Sequence, residues 1–214
     1  MSKIEHQKYL PIYEGKIYMG IDQSLTSTGI TIIKKTGKNR EELTDTSKYK
    51  ILHSEIISTK PASGALEVRI GFIKQRIIEL IYEFEIYSVG IESLAYAGFG
   101  GNSAKSANGR VLAGLFFTIL SELSLKEIKY HVINITSLKK FVTNDGRADK
   151  IVMLNKIPED NLDTLSEMSN KKINSKMFLD IVDSYWICRF AIIKDIDNLI
   201  KIKNGVIKRE KYRK

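Results

Sequence analysis

The chain has 214 residues, 43% hydrophobic and 28% charged, with a net charge of +9; this is enough chain for one sizeable core, and the balance suits polyanions such as nucleic acid, although a lysine-rich surface alone gives the same sum. Cys188 is the only cysteine, which excludes an internal disulfide and fits a reducing compartment. The polar N-terminus lacks the apolar core of a secretory leader, and the longest apolar run, 111–120, falls well short of the about 20 residues that cross a bilayer, so a soluble protein without a membrane partner is expected.

The first periodic segment, Lys16–Asp22, alternates, with Ile17, Met19 and Ile21 on one face and Tyr18, Gly20 and Asp22 on the other. Gly29–Lys35 and Tyr49–Ser58 are further β-branched runs separated by polar sequence, so three antiparallel strands in a meander are predicted. The period then changes: Leu66, Ile70, Ile73, Ile77, Leu80 and Ile81 mark an amphipathic helix within Gly64–Glu85. Residues 87–93, "YSVGIES", read as a buried parallel strand. A glycine-rich loop over 94–109 overlaps the start of a second helix, Ser103–Leu123, and "KYHVINI" (129–135) is the next strand. A short helix at Ser137–Val142, the turn "TNDG" and a helical stretch at Arg147–Asn155 follow. Residues 156–176 have no apolar period and are expected to be a mobile or inserted segment. Met177–Ile193 is a strong closing helix. The order predicts a single α/β domain over 1–200, three antiparallel strands then parallel ones in a mixed sheet flanked by helices. A basic tail, 201–214, carries seven lysines and arginines against Glu210.

Four acids stand out. Asp22 and Glu92 each end a predicted strand, where α/β sheets leave open space for function. Asp180 and Asp183, three residues apart, share one face of the closing helix among Phe178, Leu179, Ile181, Val182 and Trp186. Two like charges held together in apolar surroundings repel by a few kcal/mol at an effective dielectric of about 20, which calls for a cation. Oxygen donors suit Mg²⁺ or Mn²⁺. The three histidines, His6, His53 and His131, have no ligand spacing, and one cysteine cannot build a zinc site. Taken singly, Asp22 reads as a turn former and Glu92 as a surface acid as readily as either reads as a ligand.

Four segments in this order resemble the RuvC family of Holliday junction resolvases, which have the ribonuclease H-like fold. "IYMGIDQSLTSTGITII" is similar to the family's first strand, first acid and return strand. "VGIESLAYAGFGGNSAKSANGR" resembles the second acidic segment, with Arg110 at the family's spacing after Glu92. "LKKFVTNDGRADK" resembles the basic segment that closes on Gly-x-Ala-x-Lys, and "LDIVDSYWIC" the final Asp-x-x-Asp segment. Departures are Gln23-Ser24 for the frequent Pro-Gly, Ala95 where bacterial members often carry a junction-contacting phenylalanine, and Asn144 where glycine is common. The Ile, Lys and Asn bias points to a phage member acting in a bacterial cytoplasm.

The resemblance implies a structure-selective endonuclease for four-way junctions, active as a homodimer on branched DNA without a small-molecule cofactor. It implies two Mg²⁺ or Mn²⁺ ions per site on Asp22, Glu92, Asp180 and Asp183, and products with 5′-phosphate and 3′-hydroxyl ends. Lys139 and Lys150 match the family's functional lysines, with Lys150 steadying charge on the scissile phosphate. Tyr96 and Phe99 are candidates for stacking on unpaired bases, and Lys105, Arg110, Lys139, Lys140 and Arg147 for phosphate contacts. Ser24, Thr26 and Ser27 are expected only to build the turn after Asp22. Three other readings stay open: a nuclease for flaps or RNA–DNA hybrids, a non-catalytic DNA-binding protein, and a fragment of an actin- or Hsp70-like ATPase, whose first phosphate loop "GIDQSLTSTGI" also resembles.

Overall fold

A computed structural model describes residues 14–36, 48–94 and 104–203, the side chains of 104–108 and 199–203 excepted. Strands β1 (Ile17–Asp22), β2 (Ser27–Lys35) and β3 (Tyr49–Ser58) form the predicted antiparallel meander. Helix α1 (Leu66–Glu83) crosses to β4 (Ser88–Glu92), and α2 (Ala104–Leu125) crosses to β5 (Lys129–Ile133). Both crossovers return the chain parallel, giving a five-stranded mixed sheet in the order β3-β2-β1-β4-β5. Helices α3 (Ile135–Thr143), α4 (Lys150–Leu154), α5 (Glu159–Ser169) and α6 (Lys176–Lys203) complete the chain.

The alternation in β1 divides the molecule. Met19 and Ile21 pack with Ile73 and Ile77 of α1 and Leu115 and Ile119 of α2 on one face of the sheet. Tyr18 faces the other way, into a core built on Ile181, Val182, Tyr185 and Ile187 of α6, with Leu138, Met153 and Leu165 from α3, α4 and α5. The odd positions of β2 and the even ones of β1 therefore belong to α6.

Those positions are small. Thr31, Gly20 and Gly90 are partners across the three central strands and form a row beneath α6. A Cβ on Gly20 would lie 2.0 Å from the Ser184 carbonyl oxygen, and one on Gly90 would lie 2.9 Å from that of Ile187. Thr31 and Ser184 share a hydrogen bond of 2.7 Å between their hydroxyls. The helix backbone thus rests almost on the sheet backbone, and this close approach fixes where its acidic residues stand.

Segment 156–176 departs from expectation. Within it, α5 occupies Glu159–Ser169, buries Leu165 and Ser169, and packs against β3 and α6. Pro158 precedes it, Glu159 and Asp160 favour its N-terminus, and Asn170 ends it in the left-handed conformation at φ 51°. The N-terminus of α3 is set by the Asn134 side chain, which accepts from the Thr136 and Ser137 amides, so the helix begins two residues earlier than its sequence suggests. The stretch from Arg147 shortens to α4 because Asp149 caps it through the Val152 amide. The closing helix extends to Lys203, three residues into the expected tail.

An ion pair ties α1 to β3. Arg76 donates from Nε and Nη2 to the two oxygens of Glu55, each at 2.9 Å, and His53 stands 3.1 Å from the same carboxylate. Burial pushes the Glu55 carboxyl up, but His53 and Arg76 outweigh it and bring its pKa from 4.5 down to about 2. The folded value lies below the unfolded one, so the contribution is present above about pH 4.5 and is lost as pH falls through about 2. Both side chains keep partial solvent contact, which limits the pair to about 1 kcal/mol. We expect Glu55→Gln to lower the melting temperature by about 2–4 °C at pH 7, with the gap to wild type closing towards pH 2 in paired thermal melts.

Candidate active site

Three elements bring the acids to one place. Asp22 ends β1 and Glu92 ends β4, the neighbouring parallel strand, so both leave the sheet at the same edge. Helix α6 passes over that edge with Asp180 and Asp183, three residues apart, turned towards it. Lys150, the first residue of α4, reaches in from the side: its Nζ lies 2.5 Å from Asp183 Oδ2, 3.2 Å from Asp180 Oδ1 and 3.6 Å from Asp22 Oδ2. The Asp149 cap sets the start of α4 and with it the direction of Lys150.

The electrostatics follow from this crowding. Burial, then the neighbouring Asp183, Glu92 and Asp180 charges, push the Asp22 carboxyl well above the usual carboxylate range against the pull of Lys150. Glu92 is raised by burial and by Asp183, and Asp183 by burial and by Asp180, with Lys150 opposing both shifts. Burial disfavours the Lys150 ammonium, but Asp22, Asp183 and Asp180 together outweigh it and hold the proton on more firmly than in water. Lys139 on α3 adds a second positive charge felt by Glu92 and Asp183. Four carboxylates therefore face two ammonium groups, and the site remains short of positive charge.

Among the described residues, no three His, Cys, Asp or Glu side chains are already drawn together as a metal cage. The residues nevertheless suit a hard divalent cation. All four donors are carboxylates, their mutual repulsion is incompletely offset, and Asp183 Oδ1 is buried with no hydrogen-bond partner among the described residues. An acceptor oxygen without a hydrogen-bond partner beside three other acids is suited to a cation.

Of the remaining candidates, Lys140 and Arg147 are exposed on α3 and on the turn before α4, and Arg110 is exposed on α2. Lys105 belongs to the first turn of α2, its side chain outside the described set, and Tyr96 and Phe99 lie outside the described residues. Asn144 adopts φ 62°, the left-handed conformation that asparagine tolerates, and caps the C-terminus of α3.

The turn after Asp22 holds residues whose role the sequence did not reveal. Ser24 and Thr26 do serve the turn: the Ser24 amide donates to Thr28 Oγ1, and the Thr26 amide donates to Ser24 Oγ. Ser27 does not; its hydroxyl donates to Asp180 Oδ2 at 2.6 Å. Gln23, also buried, donates from Nε2 to the Glu92 carbonyl at 2.9 Å and so braces the ends of β1 and β4. The available signal was the run of small residues at period two, Ser27, Gly29 and Thr31, which marks the β2 face that α6 approaches.

No protein-family model and no curated protein matches the sequence. In structure, the chain is similar to Thermus thermophilus RuvC, with a TM-score of 0.59 at 17% identity over 85% of this chain and 96% of that one. The same enzyme in complex with a Holliday junction substrate gives 0.58 at 18% identity, with the same coverage. The yeast mitochondrial Holliday junction resolvase Ydc2 gives 0.53 at 14% identity over 88% of this chain and 85% of that one. With its three antiparallel strands, two parallel additions and a late helix crossing the sheet, the chain has the ribonuclease H-like fold of these resolvases.

Proposed function

We propose that the protein is a divalent-metal-dependent endonuclease that resolves four-way DNA junctions. The observation that carries this reading is the convergence of Asp22, Glu92, Asp180 and Asp183 around Lys150 at one sheet edge, on a fold shared with RuvC. A protein that only bound phosphate would have no use for four clustered acids, one buried and three half-buried, beside its basic residues.

Asp22, Glu92, Asp180 and Asp183 are the residues that would hold Mg²⁺ or Mn²⁺, two ions per site. Such ions, when bound, acidify a coordinated water and offset charge on the phosphate under attack. Lys150 keeps its proton firmly and presents an ammonium to the same phosphate, a fixed positive charge where negative charge accumulates. Lys139, Lys140 and Arg147 line the approach to α4 and bind the DNA backbone. Hydrolysis leaves 5′-phosphate and 3′-hydroxyl ends, and a two-fold dimer on a two-fold junction cuts opposed strands.

A panel of labelled substrates tests the assignment with Mg²⁺ and then Mn²⁺. The four-way junction is expected to be cut at least about tenfold faster than a flap, an RNA–DNA hybrid or linear duplex, a difference of about 1.4 kcal/mol in barrier. A preference for the hybrid, or saturable ATP binding without cleavage of any DNA, overturns it.

A further inference from the structure

Ser27, the first residue of β2, hydrogen-bonds the side chain of one of the acids, and its geometry bears on Asp180 twice over. Its hydroxyl donates to Oδ2 at 2.6 Å while Oδ1 of the same carboxylate faces Lys150 at 3.2 Å. Two residues on, Gly29 lies under the backbone of Asp180: a Cβ there would come within 2.3 Å of its carbonyl oxygen. The start of β2 therefore grips Asp180 at both main chain and side chain. The terminal torsion of an aspartate is broad and roughly two-fold, so hydrogen bonds to its two oxygens decide which orientation is kept.

We propose that Ser27 is a positioning residue for Asp180, which locks the carboxylate so that Oδ1 alone is offered to a bound divalent cation. The inference rests on the metal-dependent reading of the site and adds to it a residue that touches neither metal nor DNA. By holding Oδ2, the hydroxyl removes one rotational choice before the cation arrives and withdraws that oxygen from two-oxygen chelation. Hydrogen bonds of this outer kind change metal affinity by about 10–100-fold when removed.

The experiment is Mn²⁺ titration of the DNA-free full-length protein by calorimetry, with wild type, Ser27→Ala, Ser27→Thr and Thr26→Ala compared. Thr26 is exposed and its hydroxyl pairs with that of Ser24, so it controls for damage to the turn. We expect Ser27→Ala to weaken Mn²⁺ binding about tenfold and Ser27→Thr and Thr26→Ala to stay within about twofold of wild type. The Mn²⁺ concentration for half-maximal junction cleavage should rise in parallel in Ser27→Ala, while its rate at saturating Mn²⁺ stays within about threefold. Equal affinity in wild type and Ser27→Ala overturns the proposal, as does equal weakening in Ser27→Ala and Ser27→Thr, the signature of a packing defect. Wild-type protein that binds Mn²⁺ but cuts no DNA overturns the endonuclease reading, and the calorimetric comparison still decides the role of Ser27. Wild-type protein that binds no Mn²⁺ overturns both.

Discussion

Asp183→Asn should abolish junction cleavage and leave junction binding intact. Asp183 is the most buried of the four acids, with its side chain 4% exposed, and its Oδ2 holds the Lys150 ammonium at 2.5 Å. Asparagine keeps the shape but removes the charge that both a cation and Lys150 depend on. Charge stabilisation of several kcal/mol at the reacting phosphate corresponds to a rate loss of about a thousandfold or more. Binding should change within about threefold, because the proposed phosphate contacts are other residues, lysines and arginines, and the variant removes a negative charge from their vicinity. Single-turnover cleavage and a gel-shift titration on the same junction check the two halves, with thermal melting to verify the fold. Cleavage within tenfold of wild type would remove Asp183 from the reaction.

Gly20→Ala should be the most damaging alanine substitution among the described glycines. The added carbon would stand 2.0 Å from the Ser184 carbonyl oxygen and 2.5 Å from the Cys188 amide nitrogen, both backbone atoms of α6 that cannot rotate away. Relief requires lifting the helix off β1 and, with it, the Thr31–Ser184 hydrogen bond and the two aspartates. Overpacking of this kind costs about 3 kcal/mol or more, which lowers the melting temperature by about 6–12 °C in a chain of this length. Gly71→Ala is the counterpart: nothing lies within 4 Å of its Cβ position on α1. There alanine should raise the melting temperature by a few degrees through helix propensity. An unchanged melting temperature for Gly20→Ala would mean that α6 does not sit where the sheet's small residues place it.

The sequence made the sheet readable because its strands carry strong period-two signals, as in Ile17, Met19 and Ile21. It also exposed the acids, since carboxylates at the ends of apolar strands or among apolar helix residues conflict with their surroundings. Helix α5 escaped because its apolar stripe is only Leu162 and Leu165 wide and ends on a buried Ser169, too little to register as a period. Pro158 followed by Glu159 and Asp160 was the remaining sign of a helix start. Ser27 and Gln23 escaped for a different reason. Their partners, Asp180 and Glu92, lie 153 and 69 residues away; the small-residue run of β2 marks the face that a helix approaches but does not name the partner side chain. Gly20 and Gly29 read only as strand residues; the helix above them supplies the steric reason for glycine.

The central claim is that these acids and Lys150 form a junction-cutting centre, and mapping the cuts tests it most directly. A synthetic four-way junction, labelled on each strand in turn, would be incubated with the protein in Mg²⁺ and in EDTA. The account predicts paired nicks at symmetry-related positions on two opposed strands, with 5′-phosphate ends that ligase can seal, and no cutting in EDTA. Nicks that persist in EDTA, or that fall without symmetry on all four arms and equally on linear duplex, would contradict it.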